Sequence, residues 1–210
     1  ADKKNFPYGK KTKSQLYKII TDTIKKISEK FDPDAIILAS NTPSLLFREK
    51  LPSNIITVLP PLEKIQKASN VAILTTEIVA KSKELNSYIE EFTNLKEVVT
   101  INCSELIELV ESGRFLTHER NCVKTILKIL KDEFKENKIK VATLSSTHLP
   151  FLLPFLKKYF RDVEFLDPAD DVAIKISKLE GPKSTRNSLS IYTTESPKAL
   201  QRNLKSMGIS

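Results

Sequence analysis

Apolar side chains along this chain alternate between two spacings. From Lys13 to Phe31 they recur at Leu16, Ile19, Ile20, Ile24 and Ile27, three and four positions apart, which predicts a helix with one apolar face. Behind the turn Asp32-Pro33-Asp34, the run Ala35-Ile36-Ile37-Leu38-Ala39 predicts a short buried strand. A helix is expected to begin near Thr42 and Pro43, because proline is tolerated in a first turn. The same alternation then predicts strands at 55–59, 71–75, 97–101, 139–144, 163–166 and 188–193, and helices at 61–67, 77–92, 104–111, 119–136, 148–160, 169–179 and 197–207.

Strands that alternate with helices build parallel βαβ units. Strand runs this continuous belong to sheets covered on both faces. Pro60-Pro61 and Asp167-Pro168 are the best boundaries, dividing the chain into an outer domain of 1–61 plus 171–210 and an inserted domain of 62–170.

Composition narrows the function. The chain has 210 residues, 40% hydrophobic and 29% charged, a globular balance with enough length for an apolar core. No apolar run nears the roughly 20 residues of a transmembrane helix, so no membrane partner is expected. The four glycines, Gly9, Gly113, Gly181 and Gly208, leave no place for a P-loop or a G-x-G-x-x-G fingerprint.

The net charge of +8 raises nucleic acid as a partner. Its distribution weakens that idea: residues 1–30 hold nine Lys/Arg against three Asp/Glu, residues 178–210 hold six against two, and the middle is slightly acidic. The lysines of 1–30 spread around the predicted helix with no interleaved aromatics for stacking. We therefore expect a solvated basic face and no nucleic-acid partner.

Cys103 and Cys122 are too few for a disulfide framework and lack metal-ligand spacing. No metal is expected, and a reducing, cytoplasmic compartment fits. The only methionine is Met207 and the chain opens Ala1-Asp2-Lys3 with no secretory signal behind it, so a preceding segment is expected.

One internal similarity concerns chemistry. Leu38-Ala39-Ser40-Asn41-Thr42-Pro43-Ser44-Leu45-Leu46 and Leu144-Ser145-Ser146-Thr147-His148-Leu149-Pro150-Phe151-Leu152 are each a strand end, a small polar cluster and a helix start. They read as a duplicated unit. Backbone N–H groups and hydroxyls in such loops offer an anion site, and open α/β sheets bind ligands at these strand ends. Two related loops on two domains would face a small carboxylate from opposite sides. Asn41 and Thr42 also read as a plain helix cap, and His148 as either a solvated side chain or an acid–base group. A Ser-His-Asp hydrolase is disfavoured, because neither Ser40 nor Ser146 has the flanking glycines of a nucleophile elbow.

Taken in order, these and further motifs resemble the glutamate racemases of the aspartate/glutamate racemase superfamily, over essentially the whole chain. Ala1-Asp2 with Phe6-Pro7-Tyr8-Gly9 resembles A-D-x-x-x-x-P-Y-G, Ala39-Ser40-Asn41-Thr42 the A-C-N-T catalytic loop, and Ile73-Leu74-Thr75-Thr76 with Lys81-Ser82 the strand ending in G-T. Asn102-Cys103-Ser104 and Leu109-Val110-Glu111-Ser112-Gly113 are similar to C-P and V-E-x-G. Leu144 to Pro150 resembles L-G-C-T-H-Y-P, Leu166-Asp167-Pro168-Ala169 resembles L-I-D-P/S, and Ile191-Tyr192-Thr193-Thr194 matches the closing Y-T-T strand.

The resemblance implies cofactor-independent interconversion of L- and D-glutamate for peptidoglycan synthesis. Two cysteines on opposite faces of the α-carbon exchange its proton, and a histidine tunes the second. Carried over by motif, the catalytic positions are Ser40, Ser146 and His148, and the substrate contacts are Pro7, Tyr8, Gly9, Asn41, Thr42, Thr76 and Thr147. Glu111 is expected one layer behind them. The expected fold is α/β, with two similar domains of mainly parallel sheet flanked by helices, pseudo-twofold related, and the site in the cleft between them. Glutamate is the expected partner, and a homodimer is left open.

The chain departs from that pattern where it matters most: both catalytic cysteine positions are serines, and Val79 stands where many members have a second threonine. The family's first strand and D-S-G-x-G-G loop, with its substrate-binding Asp-Ser pair, are expected to lie in the missing segment. A racemase with impaired chemistry and a racemase-fold protein that binds an acidic amino acid without turnover both remain open.

Overall fold

The computed structural model describes residues 2, 4–5, 8, 11–65, 68–92, 96–179, 188–194 and 196–206. Contacts divide the chain into two compact units, Ala1–Asp34 with Lys178–Ser210, and Ala35–Ser177. Residues 35–61, grouped with the termini from the sequence, cluster here with the second unit.

In the first unit, helix α1 (Lys13–Phe31) coincides with the periodic stretch and buries Leu16 and Ile20. It opens with a capping box: the Thr12 hydroxyl accepts from the Gln15 N–H, and Gln15 Oε1 accepts from the Thr12 N–H, so two otherwise orphaned donors are satisfied. It ends at Asp32, whose left-handed φ of 42° breaks the helix before Pro33. At the other end of the chain, residues 188–193 form no ladder. That corrects the expected strand: the alternating pattern is present, but no described strand lies beside it, and a strand exists only through its neighbour.

The second unit contains two parallel sheets. A small one pairs β1 (Ile36–Leu38) with β2 (Ile55–Thr57). Helix α2 (Asn41–Leu46) follows β1, and its Ser44 hydroxyl donates to the Leu38 carbonyl while accepting from the Val58 N–H. One buried hydroxyl thereby ties α2 to the ends of both strands.

The larger sheet has the order β4-β3-β5-β6, with β3 (Ser69–Thr75), β4 (Lys96–Asn102), β5 (Val141–Leu144) and β6 (Glu164–Leu166) all parallel. Along β3, Val71 and Ile73 enter one core with Leu45, Leu62, Val79, Leu85 and Val141. Ala72 and Leu74 enter the other, with Leu106, Ile126, Leu130 and Leu156. The continuous apolar run is explained by this two-sided burial.

Helices α3 (Glu77–Ala80), α4 (Lys83–Glu90), α5 (Ser104–Glu111), α6 (Arg114–Thr117), α7 (Glu119–Glu136), α8 (Leu153–Tyr159) and α9 (Ala169–Ser177) complete the unit, and α10 (Pro197–Ser206) belongs to the first. The single helix expected over 77–92 is two. Ser82 interrupts it and caps α4, its hydroxyl accepting from the Leu85 N–H. The helix expected from His148 begins instead as a 3₁₀ turn, Leu149–Leu152, with α8 following. Pro150 and Pro154, which lack N–H donors, sit in these first turns. The stretch expected as helix 61–67 is likewise a 3₁₀ turn over Leu62–Ile65.

Candidate active site

The sheet topology marks one place for a ligand. From β3 the chain crosses to β4 on one side, whereas β5 connects to β6 on the other, so β3 and β5 flank a topological switch point. Ligands in open parallel sheets bind outside the carboxyl ends at such a point. Thr75 and Thr76 follow from β3 there, and Ser145 and Ser146 from β5.

Hydroxyls knit these strand ends together. Thr75 Oγ1 donates to the Ser145 carbonyl at 3.2 Å, and Ser145 Oγ lies 2.8 Å from Thr143 Oγ1. Backbone bonds add Ser145 N–H to the Leu74 carbonyl and Cys103 N–H to the Thr75 carbonyl. The loop after β1 joins the group through side chains: Thr42 Oγ1 lies 3.2 Å from Thr76 Oγ1. The two motif loops, 106 positions apart in the sequence, are therefore connected through the carboxyl end of β3.

Asn41 is the unusual residue of this group. It is 5% exposed, and both its Nδ2 and Oδ1 are buried without a hydrogen-bond partner. Leaving a buried polar group unpaired costs about 1–3 kcal/mol, so an orphaned amide needs an explanation. A ligand carrying both acceptors and donors supplies one.

Capping does not account for the loop. Ser40 occupies the N-cap of α2 with no side-chain cap bond, while Thr42 is engaged with Thr76. Because α2 has only six residues, its dipole adds little, and the site rests on side chains.

Ser146 is buried, and its hydroxyl sits 3.5 Å from the His148 N–H. His148 Nε2 lies 2.6 Å from Glu111 Oε2, with both side chains largely covered. Glu111, at the end of α5, thus fixes the imidazole from behind, as an acid–base or orienting histidine requires. Thr147 is exposed at the loop tip, whereas Ser40 and Thr76 are half-buried.

Cys103 and Cys122 are both buried in the core beneath β3 and β5, and burial pushes the Cys103 thiol up to about 12 and raises that of Cys122. Both shifts run opposite to what a thiolate base needs. Among the described residues no group of three or more His, Cys, Asp or Glu could hold a metal ion, and no helix is long and apolar enough to cross a membrane.

Pro7 and Gly9 lie outside the described residues. Tyr8 belongs to the first unit, where its hydroxyl donates to Asp2 Oδ2 at 3.1 Å. Burial first, and then the Asp2 carboxylate, push that hydroxyl above the usual tyrosine range.

No protein-family model matches the chain, but curated proteins and solved structures do. Glutamate racemase of Clostridium botulinum is 30% identical over 175 residues, 79% of this chain and 66% of that one. That of Vibrio vulnificus is 26% identical over 223 residues, 99% of this chain and 82% of that one. The chain belongs to the glutamate racemase family.

Solved structures agree on the fold. Glutamate racemase of Thermus thermophilus, in complex with β-chloro-D-alanine, superposes with a TM-score of 0.79 at 21% identity, covering 99% of this chain and 81% of that one. The Escherichia coli glutamate racemase, in complex with L-glutamate and the activator UDP-MurNAc-Ala, gives 0.78 at 21%, covering 96% and 83%. As a member of this family the chain is an amino-acid racemase, an isomerase, by descent.

Sequence reasoning found the two loops, His148 and Glu111, but missed Thr75, Ser145 and Ser44, which hold the loops in place. The only signal for them was a hydroxyl residue within or next to each polar cluster.

Proposed function

We propose that this chain carries a glutamate racemase site in which hydroxyls stand where the chemistry uses thiols. Glutamate binds between the loops at Ser40–Thr42 and Ser146–His148, and interconversion of its two enantiomers is impaired. The observation that carries the reading is the buried, unpartnered amide of Asn41 beside the Thr42–Thr76 pair, a polar cradle that lacks its complement.

The loss of turnover follows from acidity. A thiol with a reference pKa of about 8.5 is a few per cent thiolate at neutral pH, whereas a serine hydroxyl is ionised far less. Two-base proton exchange needs one ionised and one protonated partner, and Ser40 and Ser146 supply only the protonated form. Their loops still offer N–H and hydroxyl donors that offset charge on a carbanion.

In this reading the duplicated loops belong to two pseudo-twofold-related halves, and an active form would supply D-glutamate for peptidoglycan in the cytoplasm. A non-catalytic binder of acidic amino acids is the second reading, favoured by the same two serines.

Exchange of the α-proton of L- and D-glutamate in D₂O separates the two. No measurable exchange is expected for the chain as it stands, with recovery when Ser40→Cys and Ser146→Cys are combined in the full-length gene product. A doubly substituted protein that folds and binds glutamate yet stays inert would favour the binder.

A further inference from the structure

Strand β3 parts unevenly from its two neighbours at the switch point. On the β4 side it stays paired to its last residue: Thr75 stands opposite Asn102, and the Thr75 carbonyl accepts from the Cys103 N–H at 2.7 Å. On the β5 side pairing stops one residue earlier, at Leu74 opposite Leu144, with the Ser145 N–H donating to the Leu74 carbonyl at 2.9 Å. A parallel ladder that ran on would next bond the Thr76 N–H to the Ser145 carbonyl. The Thr75 hydroxyl takes that carbonyl instead, at 3.2 Å, and among the described residues the Thr76 N–H has no partner.

The junction is dry, with Thr75, Thr143 and Ser145 all buried, so the Ser145 carbonyl has to find a donor within the protein. We propose that Thr75 is a positioning residue: its hydroxyl ends the β3–β5 ladder one bond early, so that the loops after the two strands part at the site and the Thr76 N–H stays available to a carboxylate. The Ser145 hydroxyl, 2.8 Å from Thr143 Oγ1, holds the β5 side of the junction in place. An opening set before the ligand arrives does not spend binding energy on prising the strands apart.

The inference rests on the proposed glutamate site, and amide hydrogen exchange at Thr76, read beside calorimetric titration with L-glutamate, tests it. Thr75→Val keeps the shape and removes the donor, so the Ser145 carbonyl recruits the Thr76 N–H. Exchange at Thr76, fast in the wild type, should slow by about ten-fold or more, and glutamate should bind about ten-fold more weakly. Thr75→Ser keeps the hydroxyl but loses a buried methyl. It should melt at a lower temperature yet retain wild-type affinity and a fast Thr76 amide, a separation that a purely structural threonine would not give. Thr75→Ala removes the same donor and serves if Thr75→Val does not fold.

A Thr76 amide already protected in the unliganded wild type overturns the inference, as does affinity that follows melting temperature across the three variants. Wild-type protein that binds no glutamate overturns both this inference and the site it rests on. Binding that is lost with Asn41→Ala but indifferent to Thr75→Val overturns the Thr75 inference alone.

Discussion

Thr42 Oγ1 and Thr76 Oγ1 lie 3.2 Å apart, and this contact joins the loop after β1 to the loop after β3. It links the small sheet to the carboxyl end of the large one at the switch point. Replacing either by valine keeps the shape and removes the hydroxyl. Each of Thr42→Val and Thr76→Val should cost about 0.5–1.5 kcal/mol. The double variant should cost clearly less than the sum, as measured in urea-unfolding cycles.

Asn41 should trade stability for binding. Its amide is buried without a partner, so Asn41→Ala relieves an unsatisfied polar group and opens only a small void. We expect a melting temperature equal to or above that of the parent, together with loss of the rise that glutamate produces in the parent. Thermal melts with and without glutamate measure both. A parent that gains nothing from glutamate would count against the site.

Glu111→Gln should leave the fold intact but loosen His148, because the 2.6 Å contact changes from a charged to a neutral acceptor. In the Ser40→Cys, Ser146→Cys background, turnover should fall by about ten- to a hundred-fold. Steady-state racemisation assays, with glutamate affinity unchanged, would distinguish orientation of the imidazole from substrate binding.

The buried thiols predict a pH dependence. In the folded chain burial holds the Cys103 thiol neutral up to about 12, whereas in the unfolded chain it ionises near about 8.5. The raised folded value means that its contribution to stability is complete below the unfolded value and is lost as pH rises from there toward 12. Urea melts between pH 7 and pH 10 should show this decline, reduced in Cys103→Ala, and thiol-modifying reagents should label the native chain slowly.

Much of the fold could be read from periodicity because the periodicities have direct physical causes. Val71, Ala72, Ile73 and Leu74 form an unbroken apolar run because alternate members enter two different cores. The stretch at 104–111 is helical where its three-and-four spacing says. The stretch Ser188 to Thr193 shows the limit: its pattern is that of a strand, but pairing is a non-local event that local spacing cannot supply.

The candidate site divides the same way. Ser40, Asn41, Ser146 and His148 stood out as polar clusters at strand ends, and the motif order named their roles. The sequence could not show that Asn41 would be buried without a partner, that Thr42 would meet Thr76 rather than cap a helix, or that Thr75 would bridge to Ser145. Each of these depends on β3 and β5 pairing side by side in one sheet and on the loop after β1, from the other sheet, meeting the loop after β3.

The account turns on two hydroxyls standing where two thiols are needed, in a site that still holds its substrate. The most direct measurement is NMR-detected α-proton exchange of L- and D-glutamate in D₂O, run on the full-length gene product with and without Ser40→Cys and Ser146→Cys. The account predicts binding in both proteins, exchange of both enantiomers and inversion only in the doubly substituted one, and loss of inversion when either cysteine is returned to serine. Racemisation by the serine form at the rate of the cysteine form would contradict it.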